Sequence, residues 1–237
     1  MADRGVVWVI LALLVVSLLV LGTWIAFAGV GGGWQEEFSL EERELVPTGR
    51  NPFFIREPGF QMSLEGGSER LVITVLDETK VVDGVVTRVV EEREWKNGEI
   101  VEVSRNFFAI CRETSDVFYF GEEVDMYKDG VVAKHEGDRL AGEENARPGM
   151  IMSGSPRVAM KYYQEIAPGV AMDRAEVLSL TASLETPAGT FDNLLRTVES
   201  TPLNPLERGV KTYAAGIGLI QDEGLKLTDY GYGEAGG

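Results

Sequence analysis

The stretch KVVDGVVTRVVEEREWKNGEIVEV, residues 80–103, decides the fold. Two β-branched runs meet at Asp83-Gly84, and a second pair of runs meets at Asn97-Gly98. A type I′ turn holds both central residues at positive φ, which Asn, Asp and Gly tolerate best. Each dipeptide between β-prone runs therefore predicts a two-residue hairpin. Downstream, VFYFGEEVDMYKDGVVAKH (117–135) repeats the device at Asp129-Gly130. The pattern predicts strands over 69–82, 85–95, 100–111, 116–127 and 131–135, an antiparallel meander. Phe107, Phe108, Ile110, Phe118, Tyr119 and Phe120 make its centre apolar.

Further along, strands are predicted over 158–166, 175–184, 194–200, 211–215 and 218–221. Pro168-Gly169 and Pro187-Ala188-Gly189 are the turns that separate the first three. The chain from Asp222 also reads as extended, ahead of a Gly-rich end expected as a flexible tail over 229–237. Between the two runs, HEGDRLAGEENARPGMIMSGSP (135–156) is rich in Gly and Pro and reads as a long loop. About ten strands predict a mainly β fold, one antiparallel, strongly curved sheet or incomplete barrel spanning 52–228.

Upstream the chain changes character. From Gly5 to Gln35 there is no charged residue, and Val6–Val30 is almost wholly apolar. A helix of that length reaches about 36 Å, enough for a hydrocarbon core of about 30 Å. Trp8 and Trp24 lie near its ends, where amphipathic rings favour the interface. Residues 1–30 are thus expected to be a single N-terminal transmembrane helix. Ala26-Phe27-Ala28 leaves open a signal peptide cleaved after Ala28, although the apolar run is longer than the usual h-region. Arg4 on one side and Arg43 and Arg50 on the other nearly balance the positive-inside count. The expectation is a single-pass cell-membrane protein with its β domain outside the cytoplasm, or a secreted one after cleavage near Ala28. Gly31-Gly32-Gly33 opens an acidic linker over 31–51. Within it, Ser39 followed by Glu42 has capping-box spacing and predicts a short helix or a solvated spacer.

The 237 residues carry 22 Lys+Arg against 38 Asp+Glu, a net charge of −16. Asp3 and Arg4 cancel, so that charge belongs to the water-facing part. Such a field excludes a nucleic-acid partner, which needs a basic footprint. A single cysteine, Cys111, excludes an internal disulfide framework. His135 stands alone in a polar turn, and Cys111 reads as a buried small hydrophobe. Nothing in the sequence joins the two as a dyad. Glu122, Glu123 and Asp125, and the loop acids Glu143 and Glu144, lack the register of a calcium loop and read as solvated acidic faces. A phosphate-binding glycine loop, HExxH and CxxC are all missing, so no cofactor is expected.

Six segments stand in a recognisable order: NPFFIREPGF (51–60), DETKVVDGVVTRVVEE (77–92), VFYFGEEVDMYKDG (117–130), ARPGMIM (146–152), YYQEIAPGVAMDRAEVLSL (162–180) and KTYAAGIGLIQ (211–221). Together, over about 50–228, they resemble an uncharacterised family of exported bacterial and archaeal β-rich envelope proteins. Tyr162–Glu176 is the most specific block of that resemblance. Tyr213–Leu219 is more distantly similar to the end of curved, lipocalin-like or lipoprotein-carrier-like sheets. The chain departs from the family at GDRLAGEENARPG (137–149), where a Trp and a more glycine-rich turn would be expected. The resemblance implies export and one β domain, and it supplies no activity.

The resulting expectation is a membrane-anchored β domain whose sheet cups an apolar ligand, such as a lipid, or a partner segment. The alternatives are a structural or interaction component of the cell envelope, or a hydrolase using Asp173, Glu165 or the loop acids. Tyr162, Tyr163, Glu165, Asp173 and Arg174 of the specific block are the candidate functional residues.

Overall fold

The turn dipeptides behave as their chemistry demands. Asp83 and Gly84 sit at φ 48° and 76°, Asn97 and Gly98 at 54° and 81°, and Asp129 and Gly130 at 54° and 76°. Both central residues are left-handed in each case, which matches the right-handed twist of the strands they join. The computed structural model describes residues 33–233, the side chains of 136–138 excepted. The Val6–Val30 segment and the last four residues lie outside that range. Among the described residues no helix is long and apolar enough to cross a membrane.

The strands are β1 (Leu45–Val46), β2 (Arg50–Asn51), β3 (Phe54–Ile55), β4 (Phe60–Gly66), β5 (Glu69–Val82), β6 (Val85–Lys96), β7 (Glu99–Cys111), β8 (Val117–Lys128) and β9 (Val131–Leu140). They continue as β10 (Arg147–Met152), β11 (Lys161–Tyr163), β12 (Glu165–Ile166), β13 (Arg174–Thr186), β14 (Gly189–Thr201), β15 (Asn204–Ala214), β16 (Gly218–Asp222) and β17 (Leu225–Tyr232). Apart from the small β2–β3 hairpin, all belong to one 15-stranded sheet in the order β11-β13-β14-β15-β16-β17-β4-β5-β6-β7-β8-β10-β12, with β1 on β7 and β9 on β8.

The two ends of that order are neighbours in the chain. β11 pairs with β13, β12 pairs with β10, and only Gln164 separates β11 from β12. Residues 161–166 therefore form the seam of a nearly closed antiparallel barrel. Closure requires the backbones to meet. A Cβ on Gly149 of β10 would stand 2.3 Å from the carbonyl carbon and oxygen of Gln164. Only glycine leaves room for the seam at that point.

Two expectations are corrected by the register. The presumed loop 135–156 contributes the outer half of β9, paired with β8 as far as Leu140, and all of β10. The presumed tail is strand up to Tyr232, which pairs with Phe60 of β4.

The stretch read as an acidic linker makes specific contacts with the wall. Gln35 donates its N–H to the Lys161 carbonyl (3.0 Å) and accepts from the Tyr163 N–H (2.9 Å). Phe38 is buried edge-on against Phe118, with ring centroids 5.6 Å apart. β8 turns Tyr119 inward, so Phe118 points outward and Phe38 shields it from water. Arg43 donates to the Phe38 carbonyl (2.8 Å) and pairs with Asp116 at 3.2 Å. The expected helix here is only a 3-10 turn, Leu40–Glu42; Ser39 is left-handed at φ 46° and makes no side-chain cap.

Candidate functional site

In a barrel, alternate residues of each strand face inward, so cross-strand partners line up as rows around the interior. One row is Val75, Val90, Asn106 and Glu122; the next is Ile73, Glu92, Ser104 and Val124; a third is Leu71, Glu94, Glu102 and Met126. On the facing wall Leu195, Tyr213 and Leu219 form one row, and Thr197, Lys211 and Asp222 the next. Every row of the first wall holds at least one acid and the third holds two, while the facing wall passes from an apolar row to an ionisable one.

The apolar end is covered by the β2–β3 hairpin. Asn51 Nδ2 donates to the Ser115 carbonyl in the β7–β8 turn (2.8 Å), while the Pro52 carbonyl accepts from Gly216 N–H in the β15–β16 turn (2.8 Å). Those turns lie on opposite sides of the sheet order, so the hairpin crosses the barrel as a floor. Arg56 follows it inward, with its guanidinium 3.5 Å from the Phe54 ring centroid and 4.3 Å from that of Phe108. Nη1 donates to the Ile55 carbonyl (2.8 Å), and Nε has no partner. Burial pulls the Arg56 pKa well below its ordinary value, opposed by the charge of Glu92.

The other end is open. A cavity of about 510 Å³ enters between the β4–β5, β14–β15 and β16–β17 turns and is lined by Glu94, Trp95, Asp173, Glu199, Lys211 and Asp222 among others. A deeper pocket of about 130 Å³ continues it towards Arg56, Phe108 and Tyr119. Leu71, Asp173, Glu199, Lys211 and Asp222 line both, so the two form one channel into the barrel.

Its electrostatics are dominated by carboxylates. Lys211 Nζ lies 3.2 Å from Glu199 Oε2 and 3.7 Å from Asp222 Oδ2. Desolvation acts to lower the Lys211 pKa, but these two acids outweigh it and hold the amine charged. Gln164 Nε2 donates to the remaining Glu199 oxygen at 2.9 Å. Arg139 bridges the buried Glu122 (2.7 Å) and Glu165 (3.1 Å) and is itself mostly enclosed. The remaining acids have no such partner. Glu94 and Glu102 face each other across β6 and β7. Desolvation, reinforced by like charges, pushes Glu94 up to about 7 and Glu102 up to about 8. Desolvation, with Glu165 and Glu199 nearby, raises Asp173 to about 7. Burial also lifts Glu92, Glu165 and Asp222 above the ordinary carboxylate range. Among the described residues, three buried carboxylate oxygens have no hydrogen-bond partner: Glu102 Oε1, Glu165 Oε2 and Asp173 Oδ2.

The specific sequence block is divided by the barrel wall. Glu165 and Asp173 line the deep pocket. Tyr162 is fully buried in the core. Tyr163 and Arg174 instead flank Trp34, the ring centroids of Tyr163 and Trp34 lying 6.2 Å apart and the Arg174 guanidinium 4.3 Å from the Trp34 ring. His135 is exposed and bonds Asp125 at 2.5 Å. Cys111 is buried and donates to Glu113 at 3.1 Å. Asp125 and Val103 stand opposite each other, so His135 and Cys111 are separated by about eight residues of strand, on the order of 26 Å. No dyad forms. Among the described residues no group of three or more His, Cys, Asp or Glu is placed to hold a metal ion.

Sequence reasoning passed over Arg56, Glu92, Glu94, Glu102, Glu199, Lys211 and Asp222. The signal was phase: Glu102, Ser104 and Asn106 occupy alternate positions of β7, between Val101 and the apolar run from Phe107 to Cys111, which marks a polar inward face. No family model, curated protein or solved structure matches this chain.

Proposed function

We propose that this chain is a membrane-tethered, extracytoplasmic binding module that holds a small molecule inside its barrel. The observation that carries this reading is the open channel. An interior of more than 500 Å³ reaching from a rim of hairpin turns to a hairpin floor has the size and concavity of a ligand site. Charged side chains line both parts of the channel, and the deeper part adds the apolar Met62, Ile73, Val90, Phe108 and Leu219. A ligand with an apolar body and polar groups fits that mixed lining better than the purely apolar lipid expected from the aromatic strands. Tethering rests on the uncharged Val6–Val30 run. Mass spectrometry of small molecules extracted from the purified full chain tests the binding reading. A stoichiometric compound, lost when Val101→Trp narrows the mouth, is the expected result. Extracts with no retained compound, together with failure of every added probe to bind, would contradict it. Membrane fractionation tests the tether: deletion of residues 6–30 should release the protein into the soluble fraction, and its retention in the membrane fraction would refute it.

A further inference from the structure

We propose that the ligand is a small organic cation, a flexible chain carrying two or more amino groups; this rests on the binding reading above. Charge balance is the first argument. Lys211 is answered by Glu199 and Asp222, and Arg139 by Glu122 and Glu165. Glu94, Glu102 and Asp173 have no cation within salt-bridge distance among the described residues. The interior thus holds carboxylates in excess of its own cations, and burying unmatched carboxylates is costly.

Unused acceptors supply an independent argument. Glu165 is 6% exposed and lines the deep pocket, yet only its Oε1 is bonded, to Arg139; Oε2 is buried without a partner. Asp173 Oδ2, on the same pocket, is likewise unpartnered. Buried polar atoms are normally bonded, so orphaned acceptors on side chains that line a cavity mark where a donor is wanted; neither oxygen is open to water in the empty channel, so each carboxylate turns to meet the donor. An ammonium brings three N–H donors and no acceptor, the complement of such a wall.

Spacing decides between kinds of cation. A divalent metal needs several oxygens converging on one point, and the acids here do not converge. They are instead strung along the channel, from Glu94 at the wide end to Glu165 in the deep pocket. A chain with amines separated by methylenes matches that distribution, and its methylenes would lie against the apolar wall. Arg56 does not argue for an anion, because its ring stacking and its Nη1 bond to the backbone hold it on the floor, with the charge of Glu92 nearby.

The test is calorimetric titration of the full chain, in neutral detergent at pH 7.5, with spermidine. One saturable site is expected, weakened at least about tenfold by Asp173→Asn, the loss due when a charge-assisted bond is removed. Glu144→Gln, an exposed loop acid, should leave the affinity unchanged. Because Asp173→Asn removes an unmatched buried charge, it should also raise Tm, so weaker binding cannot be blamed on unfolding. Should that variant fail to fold, Glu94→Gln serves in its place with the same expectation. The amine proposal is overturned if spermidine does not bind, if Asp173→Asn and Glu144→Gln change affinity equally, or if neither does. Failure with spermidine while another compound is retained stoichiometrically sinks the amine claim alone. Failure with no retained compound and no probe bound sinks the binding reading too.

Discussion

Glu102→Gln should stabilise the protein, and by an amount that depends on pH. Glu102 is 3% exposed, its Oε1 is unbonded, and Glu94 stands opposite it on β6, with Glu122 and Glu92 contributing further like charge from β8 and β6. Its pKa is pushed from 4.5 up to about 8, chiefly by desolvation and then by Glu94. Between those values the unfolded chain has released this proton while the folded chain retains it. Stability therefore falls as pH rises through that window, by at most about 1.4 kcal/mol per pH unit. At pH 7 the accumulated cost is roughly 3 kcal/mol, and above pH 8 it levels off. Glutamine matches the neutral acid in shape and has no proton to lose, so the variant escapes the cost. For a domain of this size, that corresponds to a Tm rise of roughly 6–12 °C at pH 7, shrinking towards zero near pH 4.5. Scanning calorimetry of both proteins at pH 4.5, 6, 7 and 8 reads it directly. A Tm difference that does not vary with pH, or a variant less stable at pH 7, would refute the claim that Glu102 is an unmatched buried acid.

Arg139→Met should act in the opposite direction: it leaves Glu122 and Glu165 without their cation, a loss of about 3–5 kcal/mol that thermal denaturation at pH 8 would register. No loss at that pH would mean the triad is not buried as described. Gly149→Val should open the seam, since its side chain meets the Gln164 backbone. Hydrogen exchange along β12 and β10 should then rise well above that of β6 and β7, and unchanged protection would refute closure through residues 161–166.

How much of this was legible beforehand follows from the range of the forces involved. The β5–β9 meander could be read because its turns are set by two residues each, and Asp-Gly or Asn-Gly enforces positive φ without help from the rest of the fold. β10 escaped notice because Pro148 has no N–H to give a ladder and Gly149 has no side chain to show alternation; its strand conformation comes from β8 and from the seam. Phe60–Gly66 was missed as a strand for a related reason: its partners are β5 and the distant β17. Glu165 and Asp173 were singled out only because they lie in a distinctive block, which the barrel wall then divides. For Glu92 and Glu94 the obstacle was different. The run Glu91-Glu92-Arg93-Glu94 places charge on both faces of β6, and nothing local says which face is enclosed. That is settled only when β12 reaches β10 and turns one face of the sheet into an interior.

The central claim, that this interior is a cavity built to receive an organic cation, is tested most directly by a crystal structure of the protein grown with spermidine. The account predicts one molecule in the channel, with amine nitrogens about 3 Å from carboxylate oxygens of Asp173 and Glu165. A channel holding only water, with spermidine on the outer acidic faces or nowhere, would contradict it.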